Sequence, residues 1–324
     1  YVRYYNETIL NVISLSLFVS VWKDIKYSDI AHIQSIFSTS TLISLFYAKL
    51  LKKPIVLSPR GSLGAWCIDS GSKFKSIWLY YLLRPLVKNI TWHATAEQEK
   101  GEILSIYPCS NVSIVPNGIE FEKFQNSTDL SSKEYMEKFT GRECSPGNVI
   151  VSMGRLEKKK GFDILINSFQ EVLKLSPISV LLIAGPDQGE MKNLVDQIER
   201  LKLEDSVFLI GAISGQDKID FLANANLFCL PSHNENFGNV YVESLAAGTP
   251  IVTSTNTPWS EVEKADCGKW VSNSIENTSQ AILEMLEKDR MKMRFNSRAL
   301  AEIYAWENIA TQFKDLFEKV IQSK

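Results

Sequence analysis

Three histidines and five cysteines are all that 324 residues offer as nitrogen and sulfur ligands for a metal. Cys67, Cys109, Cys144, Cys229 and Cys267 are dispersed with no Cys-x-x-Cys spacing. That excludes a zinc knuckle, argues against a disulfide framework, and fits thiols kept reduced in a cytoplasmic protein. Long apolar runs are lacking as well. The longest near the start, Leu10 to Trp22, is interrupted by Asn11 and serines, short of the roughly 20 apolar residues a membrane-spanning helix needs. It has neither the flanks nor the cleavage site of a signal peptide. No Asp-x-Asp motif of the kind that holds a metal beside a diphosphate occurs anywhere. The formal charge of -2 gives no reason to expect nucleic-acid binding.

That balance hides an asymmetry. Residues 1–108 carry 12 Lys/Arg against 7 Asp/Glu, a local +5, so the remainder carries -7. A basic N-terminal half suits an anionic acceptor or peripheral contact with a membrane surface, and is equally the chance asymmetry of a solvated face. The chain begins at Tyr1 rather than Met, so the natural N-terminus is expected to lie upstream.

What the sequence does have is alternation. Apolar runs of strand length alternate with amphipathic stretches, the pattern of α/β domains built on parallel sheets. In the first half, strands are expected at 30–33, 54–58, 90–94 and 112–115, with helices over 41–51 and 73–88. Residues 125–148 are polar and rich in Ser, Thr and Gly, which reads as a surface excursion around a domain boundary. The pattern then restarts: strands at 149–153, 179–184, 207–210, 226–231 and 250–254, and helices over 161–175, 191–201, 216–223, 240–247, 276–287, 289–303 and 306–323. Apolar residues at 162, 165, 166, 169, 172 and 173 fit one face of a helix.

In doubly wound sheets, ligands bind beyond the carboxyl ends of the strands. Immediately after the expected strand 149–153 comes Gly154-Arg155-Leu156-Glu157-Lys158-Lys159-Lys160-Gly161. Fixed cations there suit a diphosphate, to which charge-assisted bonds are strong; the bland alternative is a solvated basic turn. After the strand ending at 231 comes Ser232-His233-Asn234-Glu235-Asn236-Phe237-Gly238-Asn239-Val240-Tyr241-Val242-Glu243. Gly238 precedes a helix whose N-terminus favours negative charge and admits close approach of phosphate to backbone amides. Glu243, about one turn in, suits a vicinal diol such as a ribose. Taken alone, such an acid pair is equally an ordinary surface helix; beside Arg155 and Lys160 it reads as a site.

At these residues the sequence resembles the retaining glycosyltransferases of family four, in the branch of bacterial polysaccharide and O-antigen (lipopolysaccharide) assembly. The resemblance runs through Ser58-Pro59-Arg60-Gly61-Ser62-Leu63 with Trp66, His93-Ala94-Thr95, Pro116-Asn117-Gly118-Ile119, Gly154-Arg155-Leu156…Lys160-Gly161, Ala184-Gly185-Pro186, Glu235…Glu243, Thr257-Pro258-Trp259…Glu261, Cys267-Gly268 and Trp306. It implies an α/β GT-B fold of two Rossmann-like doubly wound domains facing a cleft. Residues 1–135 form the acceptor-side domain, 145–303 bind the nucleotide sugar, and 304–324 form a helix that packs back on the first domain. The N-terminal domain is expected to be truncated, since its first strand and glycine-rich loop are not visible.

Carried over residue by residue, the resemblance gives Arg155 and Lys160 to the diphosphate and the leaving nucleotide, Glu243 to the ribose, and Glu235 to the hydroxyls of the transferred sugar. Gly154 belongs to the same donor-binding set. Asn236, Phe237, Gly238, Asn239 and Val240 line sugar and phosphate, and the loop at Gly211 holds the base. Arg60 stands where many members of the family have His, as a contact to donor or acceptor. The implied activity is metal-independent transfer of a hexose-type sugar from a UDP- or GDP-sugar to a saccharide or lipid-linked saccharide. It takes place in the cytoplasm or at the inner face of the membrane, with no cofactor beyond the co-substrate and no nucleic acid. Alternatives are a non-catalytic nucleotide-sugar-binding subunit, or an epimerase or phosphorylase on the same fold.

Overall fold

The computed structural model describes residues 15–64, 67–68 and 73–323; Trp66 and the first part of the Leu10–Trp22 run lie outside them. The chain divides into two compact units, one of Tyr1–Asn117 with Ile309–Lys324, the other of Gly118–Asn308.

In the first unit four parallel strands, β1 (Ala31–Gln34), β2 (Ile55–Ser58), β3 (Thr91–Ala94) and β4 (Asn111–Ile114), lie side by side in chain order. β2 and β3 are buried throughout, as strands covered on both faces must be. Helices Leu15–Tyr27, Thr39–Leu50 and Glu97–Ile106 connect or precede them. One long helix over 73–88 is not what forms. An α-helical turn Lys73–Ile77 passes into a π-helical stretch, Trp78–Leu83, in which the Trp78 indole N–H donates to the Ile36 carbonyl at 2.9 Å. The wider turn lets Trp78, Leu79 and Leu83 all reach the core. From the other end of the chain, Ile309, Leu316 and Val320 of helix Trp306–Gln322 cluster with Val56 and Val115.

The second unit is wound in both directions. Its six parallel strands are β5 (Asn148–Met153), β6 (Ser179–Ala184), β7 (Val207–Gly211), β8 (Leu227–Leu230), β9 (Ile251–Ser254) and β10 (Gly268–Val271), in the order β10-β9-β8-β5-β6-β7. The winding reverses between β5 and β8, which is where such folds open a crevice for ligands. Helix Phe162–Leu175 buries Phe162, Leu165, Ile166, Phe169 and Val172, the face read from the sequence.

The polar segment 125–148 is not wholly irregular. Ser131 and Glu134 form a reciprocal capping box that starts helix Ser132–Thr140, which ends on the left-handed Gly141. Tyr135 and Met136 of that helix are buried, and the Tyr135 hydroxyl donates to the Phe221 carbonyl at 2.9 Å. Two buried side chains, adjacent in sequence, leave little periodicity to detect, which is why composition alone reads the segment as surface.

Candidate functional site

The loops after β5 and β8 leave the sheet as neighbours at the point of reversal. After β5 the backbone is drawn tightly to the adjacent strand, with the Gly154 N–H on the Ala184 carbonyl at 3.0 Å and the Leu156 N–H on the Pro186 carbonyl at 2.9 Å. A Cβ on Gly185 would stand 1.7 Å from the Gly154 carbonyl oxygen, so only glycine permits that approach. The Gly185 N–H in turn donates to the Gly211 carbonyl at 2.7 Å. Gly154, Gly185 and Gly211 thus align the ends of three strands.

Past Gly154 the chain makes a short 3₁₀ turn, Lys158–Lys160, closed by the left-handed Gly161. The turn returns Lys160 across the end of β5 to the β8 loop. There its Nζ lies 2.5 Å from Glu235 Oε2, with both side chains only 12% and 13% exposed. The β8 loop is held by the His233 N–H on the Lys159 carbonyl (2.8 Å) and the Glu235 N–H on the Asn256 carbonyl (3.2 Å). An ion pair this far from bulk water is less screened than a surface pair. Lysine retains further N–H donors and glutamate further lone pairs for a third party.

Glu235 leads into the turn that starts helix Asn239–Ala247. Gly238 is its N-cap in the left-handed region at φ 75°, and a Cβ there would meet the Tyr241 ring at 2.5 Å and Glu235 Cγ at 2.8 Å. Asn236 and Val240 are half-buried and Asn239 is exposed. Phe237 is buried, its ring 5.2 Å from Trp259 and 5.6 Å from Tyr304. Its carbonyl accepts the Trp259 indole N–H at 2.6 Å, so that oxygen is committed to the loop itself. Burial, with Glu235 nearby, pushes the Tyr241 hydroxyl far above its ordinary pKa, and it donates to the Leu230 carbonyl at 3.0 Å.

One turn along this helix, Glu243 pairs with Lys218 at 2.7 Å, at 19% and 27% exposure. Sequence reasoning misses Lys218. A signal exists: it stands in the first turn of helix Gly215–Ala223, where a cation opposes the helix dipole and calls for a carboxylate partner. Its ammonium also lies 5.7 Å from the centre of the Phe124 ring. Lys218, Glu243, Asn239, Gly215, Phe124 and Trp306 are among the residues lining a cavity of about 300 Å³. Arg155 faces elsewhere. It lies 2.9 Å from Glu157 and is 60% exposed, an exposed cation at the rim rather than the partner of either acid.

Arg60 belongs to the first unit. It sits just past β2 in the left-handed region at φ 55°, with its guanidinium donating to Asn117 Oδ1 at 2.7 Å and Gln34 Oε1 at 3.3 Å. Behind it the buried Glu99 carboxylate accepts the Gly61 and Thr95 amides, each at 2.7 Å. His93 is fully buried, Nδ1 on Ser58 Oγ and Nε2 on the Val115 carbonyl, both at 2.8 Å. Burial holds His93 and His32 near pKa 4, with the Arg60 charge adding to the effect.

The family model described as glycosyl transferases group 1 matches residues 137–301. Among similar curated proteins, an alpha-monoglucosyldiacylglycerol synthase of Streptococcus pneumoniae is 26% identical over 232 residues, 70% of this chain and 52% of that protein. The capsular polysaccharide biosynthesis glycosyltransferase CapM of Staphylococcus aureus is 36% identical over 143 residues, 44% of this chain and 35% of that one. The chain therefore spans about half or less of the length of these relatives. Among solved structures, Anabaena Alr3699/HepE in complex with UDP superposes with a TM-score of 0.79 at 19% identity, over 94% of this chain and 82% of that one. That likeness establishes the fold.

Proposed function

Because this chain belongs to the glycosyl transferases, group 1, we propose that it carries the donor half of a metal-independent, retaining hexosyltransferase using a UDP- or GDP-sugar. The observation that carries the reading is the pairing of Lys160 with Glu235 at the winding reversal, one helix tip away from the second pair, Lys218 with Glu243. No other place in the second unit joins two half-buried lysine–glutamate pairs to a glycine-capped helix start among the described residues.

Each group then has a task set by its chemistry. Departure of the nucleoside diphosphate builds negative charge on the phosphate oxygen that was bonded to the sugar. Lys160 and the N-terminus at Gly238 stabilise that charge with little reorganisation, and preorganised charges of this kind supply much of the rate enhancement in many enzymes; Arg155 joins them only by leaving Glu157. Glu235 accepts hydroxyls of the sugar, and Glu243 accepts the two ribose hydroxyls. The acceptor oxygen bonds to the anomeric carbon as the carbon–oxygen bond to phosphate breaks, on the same face, and its proton passes to the departing phosphate oxygen.

The acceptor is proposed to be a saccharide or a lipid-linked saccharide in cell-surface polysaccharide synthesis. The names of the Streptococcus and Staphylococcus relatives, one a diacylglycerol-lipid synthase and one a capsular transferase, support that range. The UDP in the Anabaena structure is what favours UDP over GDP. Titration calorimetry with UDP, GDP and their hexose conjugates, with and without EDTA, tests the donor reading. Saturable binding of one nucleotide series that EDTA leaves unchanged is expected. Heat signals from neither series would sink it.

A further inference from the structure

The second unit carries a row of arginines for which the donor reading has no use. Arg290, Arg294 and Arg298 are spaced by four along helix Arg290–Glu302, so they share one of its faces. Arg290 Nη2 donates to the Asn224 and Ala225 carbonyls at 3.4 and 3.3 Å, and Arg294 Nη1 to the Ala223 carbonyl at 3.0 Å. Those carbonyls close helix Gly215–Ala223, and the end of a helix favours a cation. Capping is therefore one task of the two arginines. It leaves most of their capacity unused, because a guanidinium has five N–H donors and these bonds take one nitrogen of each. The Arg298 Nε is buried and makes no hydrogen bond. None of the three forms an ion pair with a carboxylate among the described residues.

Arg290 and Arg294 line a cavity of about 450 Å³, within the roughly 300–1,000 Å³ of small-molecule sites. It lies at the amino ends of β5 and β8, beside Gly147, Val149 and Asn226. Lys160 and Glu235 stand past the carboxyl ends of the same two strands. Asn226 Oδ1 accepts the Val149 N–H at 2.9 Å, which leaves the Asn226 amide N–H groups without a partner among the described residues. The Ser127 and Ser132 hydroxyls add two more donors to the lining. Against these stands one carboxylate in the lining, Asp129, which is exposed. Asp289, next to Arg290 in sequence, caps the helix with Oδ1 on the Met291 and Lys292 amides. The arginine stems are confined from behind: a Cβ on Gly248 would stand 2.7 Å from Arg294 Cγ and 3.0 Å from Arg298 Nε. Burial first, then the charges of Arg298 and Arg290, lowers the pKa of Arg294. Cations held this close to one another, with no carboxylate paired to them, are relieved by an anion.

Planar guanidinium groups match phosphate oxygens two at a time. Leu130 and Met291 give the same cavity an apolar wall. We infer that it binds a small phosphate monoester, with the phosphate held by Arg290, Arg294 and the Asn226 amide and the organic part against Leu130 and Met291. The inference is independent of the donor reading, which concerns the opposite ends of these strands.

Titration calorimetry of the full chain with glycerol 3-phosphate, inorganic phosphate and glycerol tests it, on the parent and on Lys160→Ala, in which the donor-side cation is gone. Saturable binding of glycerol 3-phosphate, tighter than that of inorganic phosphate, is expected in both chains, and none of glycerol. Arg294→Gln weakens it about tenfold or more, the loss expected for hydrogen bonds to a charged group. Asn226→Asp weakens it at least as much, since it keeps an acceptor for the Val149 amide and sets a carboxylate against the phosphate. Melts without ligand show which variants fold, and Asn226→Asp decides the matter where Arg294→Gln loosens the end of helix Gly215–Ala223. Glycerol 3-phosphate raises the melting temperature of the parent and not that of the folded variants. No saturable binding, binding that Lys160→Ala abolishes, or binding that Asn226→Asp leaves unmoved overturns the proposal. Tighter binding of inorganic phosphate assigns the cavity to the free ion and also overturns it. So does a phosphoserine peptide bound more than about tenfold tighter than glycerol 3-phosphate, because the occupant is then a partner protein.

Discussion

The two units use the carboxyl ends of their parallel strands in opposite ways. In the first, polar groups are turned inward and saturated: both nitrogens of His93 are engaged, and the Glu99 carboxylate is divided between two backbone amides and the Thr95 hydroxyl. In the second, lysine and glutamate meet in pairs that stay 12–27% exposed. A saturated buried group costs several kcal/mol to disturb and has little left to offer a ligand, whereas a half-buried pair can exchange partners. Burial of polar residues at a strand end is therefore a poor guide to chemistry. Exchangeability is the better one.

The contrast between the units breaks most visibly at Lys160. Lys160→Ala is expected to lower turnover of a donor–acceptor pair by about 10²–10³-fold, with a smaller fall in melting temperature from the Glu235 charge it leaves uncompensated. Turnover within threefold of the parent removes Lys160 from the chemistry. Glu99→Ala is the converse experiment. It strands the Gly61 and Thr95 amides in a site where the carboxylate is 1% exposed, a loss of about 3 kcal/mol in stability at ~1–3 kcal/mol per orphaned donor. Chemical denaturation of the first unit reports it, and nucleotide titration of the second unit should not. A Glu99→Ala chain as stable as the parent would make the saturated network ornamental.

Acid sharpens the same contrast. His93 is held near pKa 4 against an ordinary 6.5, so the fold prefers the neutral ring. The unfolded chain takes up the proton as pH falls through 6.5, and the folded chain does so only near 4. Stability is therefore full above about pH 6.5 and is lost progressively down to pH 4, by about 3 kcal/mol for His93 at ~1.4 kcal/mol per pH unit. Denaturation midpoints measured between pH 7 and 4 should flatten in His93→Asn. An unchanged slope would show that other groups carry the acid sensitivity.

Much of this is legible in the residues. The second unit's helices at 161–175 and 191–201 show themselves because burial on one side imposes a 3.6-residue rhythm, and strand 179–184 because it is buried on both faces. Lys160 and Glu235 are readable as a cation after one strand and an acid after another. Their contact is not, since it depends on β5 and β8 being neighbours, a fact of winding that no local pattern contains. Strand β10 and helix Glu97–Ile106 escape a reading of the sequence, the first because four residues, Gly-Lys-Trp-Val, make no run. In the second, acids in the first turn and only two buried side chains leave the apolar face thin.

Lys218 is the finest test, because it separates positioning from catalysis within the second unit. Its ammonium fixes Glu243 from the side at 2.7 Å and is itself steadied by the Phe124 ring 5.7 Å away. Lys218→Met keeps the stem and removes the charge, leaving Glu243 free to rotate. A carboxylate that must be ordered before it accepts a ribose binds more weakly by the cost of that ordering, about 1 kcal/mol or less for one side chain. The donor KM should rise roughly fivefold with kcat within twofold, the signature of binding lost equally from ground and transition states. Combining Lys218→Met with Glu243→Gln should add nothing further, since the lysine acts only through that carboxylate. Were Lys218→Met instead to depress kcat as deeply as Lys160→Ala, the two pairs would form one catalytic unit, and the division of labour between diphosphate and ribose would fail.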